Sequence, residues 1–395
     1  MKNLKTIWII LFGIILIGCN DETDTVTPDP DPDPDPVDPV ITINIPSTYS
    51  FNRDGATTVS YGGQSSRLEM AAELSSYLNN EDKTKGALDS MFNLGVGFGN
   101  PALALSGNKI GNKTAAISKA SSTVKPMFDA LIDDVTTSVF PAVRAATDAS
   151  AGVAGIYTDP GDDGRTVKIN AKGHEINQLF TKGLMGALVC DQIIWGYLTP
   201  GKLDGGTNIA DNDAGTVVDG KNYTTMEHYW DEGYGYLYGL EPDDLTSAIE
   251  GPDVLVSKYL KKVDGSSLPG IAKELYDAFK HGRAAIVAGD YTVRDEQAEI
   301  VKTKLSQIIG RKAADYLNSG AGKIEDGKWA DAHHALSEGW GFILSLQFTK
   351  NPTTGEPYYT TAEVNAMLAE MDDFWTVTPA ALKSMASGIE TKFGF

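Results

Sequence analysis

The sequence predicts an all-α fold: two related helical bundles, linked by an internal pseudo-two-fold duplication, with a short β lead-in at the start of the body. Three observations predict it. Apolar residues recur at helical period through most of the chain beyond Tyr61. Helix-start signals stand at the heads of these stretches, including capping-box spacing in Thr224-Thr225-Met226-Glu227 and in Thr360-Thr361-Ala362-Glu363. A nine-residue segment recurs 106 positions later in the chain. The composition, 42% hydrophobic and 22% charged over 395 residues, is that of a globular protein and excludes a disordered or collagen-like chain. With 2 Cys, a disulfide scaffold is excluded. A formal charge of −20 argues against a nucleic-acid partner, because phosphates would repel the chain.

Residues 1–18 read as a signal peptide. Lys2 and Lys5 precede an apolar core from Ile7 to Ile17, too short to span a bilayer comfortably. The core ends in Leu16-Ile17-Gly18-Cys19, a lipobox-like pattern in which Cys19 is lipidated and becomes the new N-terminus. A single uncleaved membrane helix with a chance Cys is the alternative. Residues 19–47 form the lipidated Cys and an acidic linker; its Asp-Pro repeat from Pro28 to Pro39 predicts an extended spacer, at about 3.1 Å per residue. The acidic Asn20-Asp21-Glu22 after Cys19 resembles a signal that sends lipoproteins to the outer face of the outer membrane of Gram-negative cells; attachment facing the periplasm stays open.

Residues 48–395 form the helical domain, with repeats at about 170–245 and 290–350. Alternation in Ile41–Ile45 and in Thr57–Tyr61 predicts a short strand or hairpin. Leu68, Ala71, Leu74, Ser75 and Leu78 then share one helical face. Residues 93–114 and 204–220 are polar and Gly-rich and read as loops. A helix is expected over 124–135, and a long apolar one over 176–198. Gly183 and Gly186 make sense in the latter where two helices approach closely, since each costs about 1 kcal/mol at an exposed helix position. Further helices are expected over 224–240, 243–260, 271–287, 294–317, 328–348, 361–372 and 379–392. The last opens with Thr378-Pro379, an N-cap followed by proline at the first helical position. Cys190 reads as a buried hydrophobe without a partner, and the tryptophans of the body as core.

The repeated segment carries the chemistry. His228-Tyr229-Trp230-Asp231-Glu232-Gly233-Tyr234-Gly235-Tyr236 and His334-Ala335-Leu336-Ser337-Glu338-Gly339-Trp340-Gly341-Phe342 both read His-x-x-x-Glu-Gly-aromatic-Gly-aromatic. A fainter echo links Thr181-Lys182 and Gly186 with Thr303-Lys304 and Gly310. On a helix, positions i and i+4 share a face, so His228 lies over Glu232 and His334 over Glu338. If the two helices pack about a dyad, two imidazoles and two carboxylates converge. That donor set suits a divalent metal, iron or zinc. The same pairs also serve as plain hydrogen bonds that fix helix register. Asp231, His174 and Glu175 are weaker candidates; Glu175, at a helix start, also complements the helix dipole.

These blocks, with Tyr49-Ser50-Phe51, Ser60-Tyr61-Gly62-Gly63-Gln64, Arg67-Leu68 and Phe180-Thr181-Lys182-Gly183-Leu184-Met185-Gly186-Ala187, resemble an uncharacterised family of lipid-anchored helical proteins, domain of unknown function 4856. A looser similarity is to imelysin-like envelope proteins, whose two-bundle fold the resemblance links to iron acquisition or proposed peptidase activity. Their Gly-x-His-x-x-Glu signature is not kept: Gly173 directly precedes His174, and Asn177 stands where the Glu belongs. The expectation is an outer-membrane lipoprotein that binds a ligand or metal without turnover, in iron uptake, with the membrane and an uptake receptor as partners. The alternatives are an imelysin-like metallopeptidase and a glycan-capturing surface lipoprotein.

Overall fold

The computed structural model describes residues 41–118, 120–160, 164–242, 244–245, 249 and 255–395. The expected signal peptide, Cys19 and the Asp-Pro linker lie outside the described residues.

The described body is mostly helical, with two small antiparallel sheets. The main helices are α1 (Gly62–Tyr77), α2 (Ser121–Asp134), α3 (Ile176–Leu184), α4 (Thr225–Tyr238), α5 (Val256–Asp264), α6 (Ile271–Ala288), α7 (Tyr291–Glu325), α8 (Trp329–Ser345), α9 (Thr361–Glu370) and α10 (Pro379–Phe393). Each of the three sequence signals at a helix start is realised. Thr224 and Thr360 close full capping boxes with Glu227 and Glu363, and Thr378 Oγ1 accepts from the Ala381 amide. Such caps satisfy amides that no intrahelical carbonyl can reach.

Helix α7 is the spine. Its 35 residues span about 52 Å. It buries Leu305, Ile308, Ala313 and Leu317, and α6, α8 and α10 pack against it. Helix α8 is in turn clasped by α3, while α4 packs on α1 and α6. One apolar cluster runs through all of these helices; a small satellite of Ala149, Val167, Ile169 and Ala330 sits under the second sheet.

The long apolar segment after Ile176 is helical, but beyond Leu184 it widens into π-turns over Met185–Cys190 and Ile193–Tyr197. Its glycines do mark close approach: a Cβ on Gly186 would lie 2.5 Å from Ser345 Cα, and one on Gly183 would lie 3.0 Å from the Phe128 ring. Cys190 is buried and free.

The lead-in differs from expectation. The paired strands are β1 (Asn52–Arg53) and β2 (Ala56–Thr57). Ile41–Ile45 alternates in sequence but forms no ladder, and Ile41 and Ile45 stay exposed. A second hairpin, β3 (Gly155–Thr158) with β4 (Thr166–Ile169), lies outside the expected lead-in although Thr166-Val167-Lys168-Ile169 alternates; it is anchored by burial of Val167 and Ile169. The expected loops at 93–114 and 204–220 contain the short helices Pro101–Leu105 and Asn208–Asp213. The helix expected over 243–260 is described only at Val256–Asp264, residues 243, 246–248 and 250–254 lying outside the described residues.

Candidate functional site

The two repeated turns sit on α4 and α8, and their surroundings correspond position by position. Gly233 and Gly339 each face a Tyr-Leu step: Tyr197-Leu198 in one case, Tyr316-Leu317 in the other. Gly235 lets the start of α1 approach, and Gly341 the last turn of α3. A Cβ on Gly235 would lie 2.4 Å from Tyr61 Cβ and 3.1 Å from Gln64 Cβ; on Gly341 it would lie 2.4 Å from Lys182 Cβ. Trp230 fills the space over Gly282, and Leu336 that over Gly320. Asp231 and Ser337 each accept a backbone amide at the head of the approaching helix, from Ser60 at 3.2 Å and from Glu175 at 2.9 Å.

Within that frame the imidazole and carboxylate lie as the i,i+4 spacing demands. His228 Nε2 is 3.9 Å from Glu232, and His334 Nε2 is 3.7 Å from Glu338. The other ring nitrogens part company. His228 Nδ1 meets the Ser60 carbonyl at 3.0 Å, with the ring stacked on Tyr223. His334 Nδ1 meets Glu175 Oε2 at 2.6 Å, so both of its nitrogens face carboxylates.

The carboxylates differ more. Glu232 accepts from the Gln64 amide at 2.9 Å. Glu338 lies 3.1 Å from the Lys182 ammonium and accepts from the Tyr259 hydroxyl at 2.9 Å. Burial alone would raise Glu338, but Lys182, His334 and the Tyr316 and Tyr259 hydroxyls hold it below the ordinary carboxylate value. Burial, opposed by Glu338, lowers Lys182. Burial and then Glu338 push Tyr259 and Tyr316 up. His228 is lowered by burial, with Glu232 opposing.

The structure therefore brings His334, Glu338 and Glu175 together, and His228 and Glu232 together, as two sets. No hydrogen bond or ion pair joins the sets among the described residues. The physical reason is that each His/Glu face covers a different helix, the start of α1 under α4 and the length of α3 under α8, instead of its counterpart. His174 belongs elsewhere. It is buried against Phe374, in the aromatic surroundings that also hold His333, and burial lowers both imidazoles to about 4. Asp231 is a core residue: Arg283 Nε lies 3.0 Å away, the Tyr49 hydroxyl donates to it at 2.7 Å, and burial, against Arg283, pushes it up to about 6. Arg283 also reaches Glu227 at 3.1 Å, and this fully buried network fastens the β1–β2 lead-in to α4 and α6.

Among the described residues no group of three or more His, Cys, Asp or Glu is placed to hold a metal ion. The neighbours explain why. Beside Glu338 stands the Lys182 ammonium, a donor that cannot ligate a cation and repels one, and beside Glu232 the Gln64 side chain turns its N–H donor to the carboxylate.

A family model described as a domain of unknown function (DUF4856) matches residues 46–395. The chain belongs to this family. No curated protein and no solved structure matches it. Among the described residues of the DUF4856 domain, no helix is long and apolar enough to cross a membrane.

Beside the His334 turn the DUF4856 domain holds a pocket of about 260 Å³ between α1, α3 and α5. Lys182 and Tyr259, two of the groups that donate to Glu338, line it, with Lys258, Gln178, Thr181 and Ser75 as its other polar groups. Nothing in the spacing of Lys258 or Tyr259 marks them as site residues, and Lys182 stands out in the sequence only as part of a repeated pattern. One signal was present for Lys182: it stands between Phe180 and Leu184 in a strongly apolar run, where a lysine needs a partner.

Proposed function

We propose that this chain is a lipid-anchored binding protein of the outer membrane, acting without turnover, whose ligand is a small organic molecule held in the pocket beside Lys182. The observation that carries the reading is a largely buried lysine, ion-paired to the repeated turn and opening on a cavity. Buried lysines are rare unless paired, and their altered ionisation clusters at functional sites. The lipobox-like Leu16-Ile17-Gly18-Cys19 supports the anchor, and the Asp-Pro linker supports display of the body away from the membrane. The matched environments of α4 and α8 support an internal duplication in which the His334 copy became the binding copy.

A role in iron uptake, with an outer-membrane receptor as partner, stays part of the proposal only in a narrower form. Without a three-donor set, iron would have to arrive inside an organic chelate. Native mass spectrometry of the full-length protein, released from its own membrane in mild detergent, tests the reading. The expected result is a bound organic mass that Lys182→Met removes. Protein that carries no adduct, or an adduct that Lys182→Met leaves in place, contradicts it.

A further inference from the structure

We infer that the pocket beside Lys182 selects a small organic monocarboxylate; this rests on the binding reading above and adds the chemical class. The first ground is charge. The chain has 53 acidic residues against 33 basic, yet among the described residues the pocket is lined by two lysines and by no Asp or Glu. Lys182 is balanced by Glu338, and it also donates to Gln178 at 2.7 Å, which uses two of its three N–H donors. Lys258 has no hydrogen-bond or ion-pair partner among the described residues, and the two ammoniums repel one another across the pocket. One carboxylate placed between them would neutralise Lys258 and accept the third donor of Lys182.

The second ground is shape and polarity. At about 260 Å³ the pocket is smaller than the roughly 300–1,000 Å³ that drug-sized ligands occupy, so the occupant is small. Ala71, Ala72, Met185 and Leu255 supply an apolar wall for an aliphatic body. Thr181 Oγ1 and Ser75 Oγ, 2.6 Å apart, sit at the same wall as secondary polar contacts. A phosphate dianion fits poorly: it has no apolar part to place on that wall, and Glu338 lies only 3.1 Å behind Lys182. A monocarboxylate with a short aliphatic tail satisfies both the cationic end and the apolar wall.

Isothermal titration calorimetry of the full-length protein in detergent decides the class, with butyrate and hexanoate, their uncharged amides, and inorganic phosphate as probes. The monocarboxylates are expected to bind at least tenfold more tightly than the matched amides and than phosphate. Lys258→Met is expected to weaken carboxylate binding about tenfold or more, and Lys258→Arg to retain it, as loss of a charge-assisted hydrogen bond implies. Equal binding of amides overturns the anionic class while leaving the pocket as a binding site. Phosphate binding as tightly as hexanoate, or carboxylate binding indifferent to Lys258→Met, also overturns it. Failure of every probe overturns the inference alone, because the adduct carried by the protein from its own membrane reports on the binding reading independently.

Discussion

The His228 turn on α4 and the His334 turn on α8 occupy matching frames and hold different chemistry. Both place an imidazole over a carboxylate at i,i+4, both use paired glycines to admit a neighbouring helix, and both tie that helix start through a side chain at the fourth position of the motif. The difference lies in what the admitted helix brings. Under α4 it brings Gln64, a neutral side chain that donates to the carboxylate and carries no charge to balance. Under α8 it brings Lys182, whose charge must be balanced in a buried site that opens on a pocket. The comparison teaches that the repeated His-x-x-x-Glu motif is a packing frame. Function, on this account, enters through the residue that meets the glutamate.

The largest expected effect breaks the frame at its glutamate. Glu338→Met leaves Lys182 buried without its counter-charge and should cost about 3–5 kcal/mol. Glu232→Met leaves only an amide unpaired and should cost about 1–3 kcal/mol. Urea denaturation of both variants checks the ranking; equal losses would mean that Lys182 is not held as an ion pair.

Acid sharpens the comparison next. One position before each motif histidine the two turns differ again: Glu227 precedes His228, and His333 precedes His334. His333 and His174 are lowered to about 4 by burial, so they stay neutral in the folded chain while the unfolded chain protonates them from about pH 6.5. The unfolded state then binds more protons, and stability falls as pH drops from about 6.5 to about 4, by about 3 kcal/mol for each histidine taken alone. Glu227 behaves differently. Burial raises it, but Arg283 and Arg53 hold it below its ordinary value, so its contribution is present above about pH 4.5 and is lost only as pH falls through the lower folded value. Denaturant midpoints measured from pH 7 to pH 4 should slope downward in the wild type and less steeply in His333→Phe.

The glycines follow. Gly341→Ala and Gly235→Ala each force a Cβ to 2.4 Å from a neighbouring Cβ and should lose about 1–3 kcal/mol. Gly339→Ala and Gly233→Ala meet neighbours at 3.3 and 3.2 Å and should lose less. Thermal melts of the four variants test that order.

Much of the fold was legible because its signals are local. Thr224 with Glu227, Thr360 with Glu363, and Thr378 before Pro379 each declare a helix start within four residues, and the structure uses each one. What was illegible depends on distant partners. Ile41–Ile45 alternates as a strand would, but among the described residues no second strand lies beside it, whereas Thr166–Ile169, which alternates too, pairs with β3; alternation alone does not tell which run finds a partner. The site divides the same way. The His/Glu spacing was readable because a helix brings i and i+4 together. Its partners were not: Tyr259 reaches Glu338 from 79 residues away, and His334 meets Glu175 across 159. Motif spacing also could not say which helices the two turns would cover, and so the expected convergence on one dyad gave way to two separate sets.

One measurement weighs the central claim most directly: the mass of small molecules carried by the full-length protein from its own membrane, compared between Lys182→Gln and Gln64→Ala. An organic adduct is expected to disappear in Lys182→Gln and to persist in Gln64→Ala. Persistence in Lys182→Gln, or equal loss in both, would contradict it.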